Sequence, residues 1–289
     1  MKSLQFQGRE GSGLIGHPQH GFGYLPDPSG HRYKGFYMHP AAKASIVNLP
    51  KETNNRLYLP PRWSQGQTGS CTGHGMAGAI TTTFAAHERP LPMPVSPRVS
   101  YALGRAVDRT NPAIPLVDQG AQPNSLVRAY GLWGCVLEAE TDGGINATSD
   151  EYTAFLEAHV NDDPKLGELE VASQRLLVGF NAIEDGAFNK LLQFQQALAG
   201  KYMVGVAVDA GSEAFQDFQG AGVLDYTGSD PDHWVFICDY RKLANGSLEF
   251  LLVNSWGLKN WTPDGTAWVT QNFVNSGCFN SLVVNLGQV

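Results

Sequence analysis

Three glycines, Gly73, Gly75 and Gly78, fall inside a stretch that otherwise reads as one helix, CTGHGMAGAITTTFAAHE, from Cys71 to about His87. Each glycine costs a helix interior about 1 kcal/mol relative to alanine. Such a helix forms only where tertiary packing supports it. Small side chains also allow other backbone to pass close by. The sequence therefore calls for a helix buried between other parts of the chain, with a cysteine at its first position. HERPLPMPVSP then breaks it with four prolines.

Cys71 itself has three readings: a buried small hydrophobe, a disulfide partner, or a nucleophile at a helix start. The chain has four cysteines, Cys71, Cys135, Cys238 and Cys278, too few and too scattered for a disulfide scaffold. Cys135, Cys238 and Cys278 have no accompanying partners and read as structural. Cys-x-x-Cys and His-Glu-x-x-His spacings do not occur, so neither a zinc site nor any other metal or cofactor is expected.

Around this helix the texture changes along the chain. SPRVSYALGRAVD, NSLVRAYGLWG (ending at Gly134) and TSDEYTAFLEAHV read as further helices. After NDDPKLG, the runs RLLVGFNAI, YMVGVAVDA, HWVFICDY, LEFLLVNSWG and GTAWVTQNF read as strands, with AFNKLLQFQQALAG a helix closed by Gly200. RKLANGSLEF is a hairpin signal. A helical half preceding a β half is the pattern of an α+β protein with a cleft between the two. Residues 1–45 hold little periodic hydrophobicity. Their GSGLIG, Gly11 to Gly16, matches a dinucleotide fingerprint only formally, because no strand precedes it and no helix follows. His17, His20, His31 and His39 lack ordered spacing and read as loop residues.

A formal charge of −7 and a pI near 5.6, without a basic run, argue against nucleic-acid and anionic-membrane partners. The N-terminus has no apolar core of secretory length, and nothing approaches the roughly 20 apolar residues of a membrane span. A cytoplasmic protein is the default expectation. Export by a route not coded at the N-terminus, or release on lysis, stays open.

A thiol nucleophile needs thiolate character, a histidine in hydrogen-bond reach, and a group to orient that histidine. A helix start supplies unpaired N–H groups and partial positive charge. His233, in PDHWVFICDY, stands at the start of an apolar strand in the other half and is the best base. Asn254, in LLVNSWG, ends the next strand and can accept from the imidazole, with the Trp256 indole as cover. Gln65 can direct its amide at the oxyanion of a tetrahedral intermediate, beside the Cys71 N–H. His74 competes as base, but on the nucleophile's own helix it reads first as a packing or cleft-wall residue. Asp232 either tunes the thiol–imidazole pair or is a solvated turn residue.

These segments resemble the papain-like cysteine peptidases. QGQTGSC resembles their oxyanion-glutamine and nucleophile motif, DHWVFICDY their Asp-His-Ala-Val strand, and LLVNSWG their Asn-Ser-Trp-Gly. DQGAQPNSLVRAYGLWG resembles the segment whose Gly-Gly pairs with substrate backbone. QQALAGKYMVGVAVDAGSEAFQDFQGAGVLDY is similar to the helix–strand–loop before the catalytic histidine. The match runs in order from about residue 47 to about 270.

The resemblance implies a two-lobed fold, with a helical left lobe, an antiparallel β-barrel-like right lobe and the active site between. It implies a domain over 46–289, mainly helical to 163 and mainly β from 164. Cys71 becomes the nucleophile, His233 the base and later acid, Asn254 the orienter and Gln65 the oxyanion donor. Gly120 would lie along the substrate backbone, with Gln122, Pro123 and Trp234 bordering the specificity pocket.

Thr68 stands where a disulfide cysteine is usual, which resembles the bacterial and phage branch with its GSCTANA. Thr72 replaces an aromatic, Ala121 the second glycine, and Trp234 the alanine after the histidine. Residues 1–45 lack a long helical propeptide and are expected to fold back over the cleft as a short inhibitory extension. The activity expected is endopeptidase action on a peptide or protein. The alternatives are a catalytically silent binding or scaffold protein and a thiol acyltransferase or deamidase.

Overall fold

The computed structural model describes residues 22–25, 48–138, 149–173, 178–183, 185, 189–225, 228–258 and 260–286. GSGLIG and the four N-terminal histidines lie outside the described residues. Helix α1 (Cys71–Ala86) is buried along its whole length except at Ala85. Its glycines mark where other elements cross it. A Cβ on Gly73 would lie 2.5 Å from the Pro97 carbonyl oxygen, where α2 (Pro97–Asp108) crosses. On the opposite face, Cβ atoms on Gly75 and Gly78 would lie 2.6 and 2.7 Å from the rings of Trp234 and Phe236. Those rings belong to β3 (His233–Lys242). The missing side chains thus set how closely both neighbours approach.

On one side α2, α3 (Pro123–Trp133) and α4 (Ser149–His159) match the helices expected from sequence, and Gly134 ends α3 at φ 77°. Segment 166–173, on the β side of the sequence boundary, instead forms α5 (Leu166–Ser173). Its Ala172 joins Val99, Leu103, Ala129 and Val136 in a core among the helices. A buried ion pair of 2.9 Å, Arg98 to Glu168, fastens α2 to α5.

The other side is a six-stranded antiparallel sheet. It contains β1 (Val178–Ile183), β2 (Val204–Val208), β3, β4 (Leu248–Val253), β5 (Thr266–Thr270) and β6 (Phe279–Leu286). Their order is β1-β6-β2-β3-β4-β5. Helices α6 (Lys190–Ala199) and the short α7 (Glu213–Gln216) accompany it. The expected hairpin is present, with Gly246 at φ 87° between β3 and β4. β6 has no counterpart in the sequence reading, yet it enters the sheet between β1 and β2. The principal core joins the two sides, with Cys71, Met76 and Ile80 of α1 packed among Trp234, Phe236, Leu251 and Val253. The start of α1 and the start of β3 therefore meet at one end of the seam.

Candidate active site

Residues 65–70 form a tight turn that delivers Cys71 to the helix start. The Thr68 hydroxyl donates to the Gln65 carbonyl at 2.7 Å and lies 2.6 Å from the Ser70 hydroxyl. The Gln65 side chain, fully buried, is fixed at both ends. Its Nε2 donates to the Thr68 carbonyl at 2.9 Å, and its Oε1 accepts from the Ser255 hydroxyl at 2.6 Å. Ser255 follows Asn254, so one contact ties the turn before Cys71 to the segment after β4.

Across the seam His233 opens β3, and its Nε2 lies 2.8 Å from Asn254 Oδ1. The Ser255 backbone N–H donates to the same oxygen at 2.7 Å. Asn254 Oδ1 is thus an acceptor, so His233 carries its proton on Nε2 and Nδ1 is the basic nitrogen. The Trp256 ring lies 5.1 Å from the imidazole at 35° and covers it. Phe215 and Phe22 approach His233 edge-on at 6.3 and 6.1 Å, and Trp261 stacks on Phe215 at 4.7 Å. Phe22, Phe215 and Trp261 were not singled out from sequence. Only proximity in the fold groups them.

Cys71 is fully buried, and burial pushes its thiol up to about 11. The backbone N–H groups of Trp234 and Gly23 hydrogen-bond the sulfur and oppose that shift. The Trp234 contact brings the start of β3, which His233 opens, to the thiol. The Gly23 contact belongs to a second strand of chain in the cleft. The Ala121 N–H donates to the Gly23 carbonyl at 2.9 Å, and the Leu25 N–H to the Ala121 carbonyl at 3.2 Å. The Tyr24 N–H donates to the Asp232 carbonyl at 3.2 Å. Residues 22–25 thus pass over the thiol with Phe22 at His233 and Tyr24 at Trp234.

The other sequence-expected residues fall around this line. Gly120 sits at φ 90°, and a Cβ there would lie 2.4 Å from the Gly23 carbonyl oxygen. The backbone pairing itself runs through Ala121. Gln122 and Pro123 follow directly, as the N-cap and first residue of α3. A brace holds this edge. Asp118 accepts from the Gly69 N–H at 2.9 Å and from the Tyr101 hydroxyl at 2.7 Å, and that hydroxyl accepts from the Gly120 N–H at 2.8 Å. Asp232 accepts from the Ala210 N–H at 2.8 Å, and burial, with Asp209 adding to it, raises its carboxyl to about 6. It organises the loop after β2 and supplies the carbonyl that holds Tyr24.

His74 does not face the thiol. Its Nδ1 lies 3.0 Å from the Ser70 carbonyl, and its ring meets Trp63 and Tyr152 edge-on. Burial lowers it to about 4. The unfolded chain therefore binds a proton at His74 that the native chain refuses between about pH 6.5 and 4. Stability from this residue is lost as pH falls through that window, by about 3 kcal/mol in all. Asp232 acts with the opposite sign, losing stability as pH rises from its unfolded value towards 6. His74→Phe should flatten the acid limb of chemical-denaturation stability below pH 6.5. An unchanged slope would contradict the burial of a neutral imidazole.

All four cysteines are free thiols, and Thr68 is held by hydrogen bonds with Gln65 and Ser70. No protein-family model matches the chain. It is 35% identical over 249 residues, 84% of its length, to the senescence-specific cysteine protease SAG39 of Oryza sativa subsp. indica, and spans 63% of that relative. Among solved structures it resembles xylellain, a cysteine protease from Xylella fastidiosa (TM-score 0.64, 18% identity, 93% of this chain and 97% of that one). It also resembles digestive procathepsin L 3 of Tenebrio molitor (TM-score 0.59, 21% identity, 85% and 72%). The chain has the fold of the papain-like cysteine proteases and is similar in sequence to a plant cysteine protease over most of its length.

Proposed function

We propose that the protein is a cysteine endopeptidase in which Cys71 attacks the peptide carbonyl. The observation that carries this is the arrangement of Asn254 Oδ1, His233 Nε2 and the thiol, with His233 Nδ1 as the remaining base. The Cys71 proton passes to Nδ1 and the sulfur bonds to the carbonyl carbon. The Cys71 N–H and the Gln65 amide stabilise the oxyanion, the amide being positioned by Ser255. Imidazolium then protonates the leaving amine. Water, deprotonated by the same nitrogen, hydrolyses the thioester and restores the thiol.

The same reading makes residues 1–45 a short inhibitory extension and 46–289 the catalytic domain. The leaving amine must lie toward His233, so a substrate runs from the Ala121 side toward Trp256. Residues 22–25 run the opposite way, with Phe22 at Trp256 and Leu25 at Ala121. They offer the sulfur an N–H rather than a carbonyl carbon. Thr68 with its hydrogen bonds favours the bacterial and phage-type branch.

A bromelain from Ananas comosus, whose fold is similar, has been solved with the inhibitor E64. Wild type and Cys71→Ala should be incubated with E64 and with a set of peptides. Stoichiometric labelling at Cys71, with cleavage in wild type only, is the expected result. Labelling without any cleavage would transfer the activity to acyl transfer or deamidation. Absence of both, even with the extension displaced, would leave a binding protein.

A further inference from the structure

The side-chain pocket beside the thiol carries a built-in occupant, Tyr24, and the residues around it say what it accepts. Trp234 lies under the phenol ring, 6.0 Å between centroids at 18°. The indole cannot tilt away. Cβ positions on Gly75 and Gly205 fall 2.6 and 2.8 Å from its Cδ1 and Cζ2, so two glycines clamp it from α1 and β2. Tyr24, Ala121, Ala207 and Trp234 belong to one buried cluster. At the far end the Asn280 side-chain amide donates to the Tyr24 hydroxyl. Asn280, the second residue of β6, lies at φ 46°, a left-handed conformation that asparagine and glycine tolerate.

We propose that this pocket selects a tyrosine two residues before the scissile bond, with Trp234 as stacking floor and Asn280 as reader of the hydroxyl. This rests on the peptidase reading above. Stacking and hydroxyl recognition are side-chain contacts, so a substrate of the productive direction can place a phenol where Tyr24 places its own. An aromatic ring stacked offset on an indole gains beyond its buried area. A phenylalanine fills the floor but leaves the amide without its partner, and a site built to bond a hydroxyl discriminates against the analogue lacking it. A leucine loses both contacts.

The test uses the full chain and labelling of Cys71 by the chloromethyl ketones of Tyr-Ala, Phe-Ala and Leu-Ala, with iodoacetamide as the reagent that bears no side chain. All reagents share the same opening of residues 22–25, so rate ratios report the pocket alone. Wild type should react about tenfold faster with the tyrosyl than with the phenylalanyl reagent, and most slowly with the leucyl one. Asn280→Gly keeps the left-handed backbone and should bring the tyrosyl-to-phenylalanyl ratio to about one. Its iodoacetamide rate should rise, because Tyr24 is held less tightly. Asn280→Asp, which accepts from the phenol, should restore the preference. Equal tyrosyl and phenylalanyl rates in wild type, or a preference that survives Asn280→Gly, would overturn the proposal. Discrimination without cleavage of any tyrosine-containing peptide would overturn the peptidase reading and leave the pocket standing. Cleavage without discrimination would do the reverse.

Discussion

Replacing Gly23 with valine should expose the thiol, raising the rate of Cys71 alkylation in the full chain by about a hundredfold. A Cβ at residue 23 would lie 1.6 Å from the Gly69 carbonyl oxygen and 2.2 Å from its carbonyl carbon. No rotamer relieves this, because the obstacle is backbone on both sides. Gly69 itself has a Cβ position only 3.1 Å from the Gly120 nitrogen, so it cannot retreat toward the Asp118 brace without displacing it. The chain must lift out instead. Lifting forfeits the bonds of Tyr24 to Asp232 and of Leu25 and Gly23 to Ala121. Three such bonds contribute about 1 kcal/mol each, which sets the expected factor. The thiol, about 11 while buried under Gly23, then gains water and the charged partner across the cleft. An alkylation rate unchanged by Gly23→Val would mean that residues 22–25 do not limit access.

His233→Ala should lower kcat/KM for peptide cleavage by about a thousandfold or more, and should slow alkylation of the opened thiol at neutral pH. His74→Ala should change neither by more than a few-fold. The contrast follows from geometry. His233 is oriented by Asn254 and covered by Trp256, whereas His74 spends its Nδ1 on Ser70 and its ring on Trp63 and Tyr152. Asn254→Ala should fall between the two, since it removes the acceptor that fixes the tautomer but leaves the base. Peptide hydrolysis by the three purified variants provides the measurement. A larger loss from His74→Ala than from His233→Ala would reverse the assignment of the base.

The candidate site was legible in sequence where chemistry asks for particular residue types at particular places. A cysteine after a glycine turn at a helix start, a histidine at one strand start and an asparagine at the next strand end require one another. The Gly73–Gly78 stripe likewise announced close packing, and α2 and β3 supply it. What was not legible depends on contacts between distant segments. β6 contains an apolar run, yet its insertion between β1 and β2 leaves no local signal, and with β6 comes Asn280. Phe22, Phe215 and Trp261 look like ordinary hydrophobes until the fold sets them around His233. Gly120 and Ala121 share a turn, and only the register of residues 22–25 shows that Ala121 makes the backbone bonds. Asp232, for which tuning of the pair and a solvated turn were equal readings, holds a loop and one end of Tyr24.

The pairing of Cys71 with His233 is the centre of this account, and the pH profile of Cys71 alkylation in the Gly23→Val chain tests it most directly. A thiolate held by an imidazolium persists well below the pH at which a lone thiol ionises. The rate should therefore stay nearly flat from pH 6 to 8, and His233→Ala in the same background should make it climb steeply with pH. A rate that already rises about tenfold per pH unit with His233 present, and is indifferent to its removal, would contradict the pair.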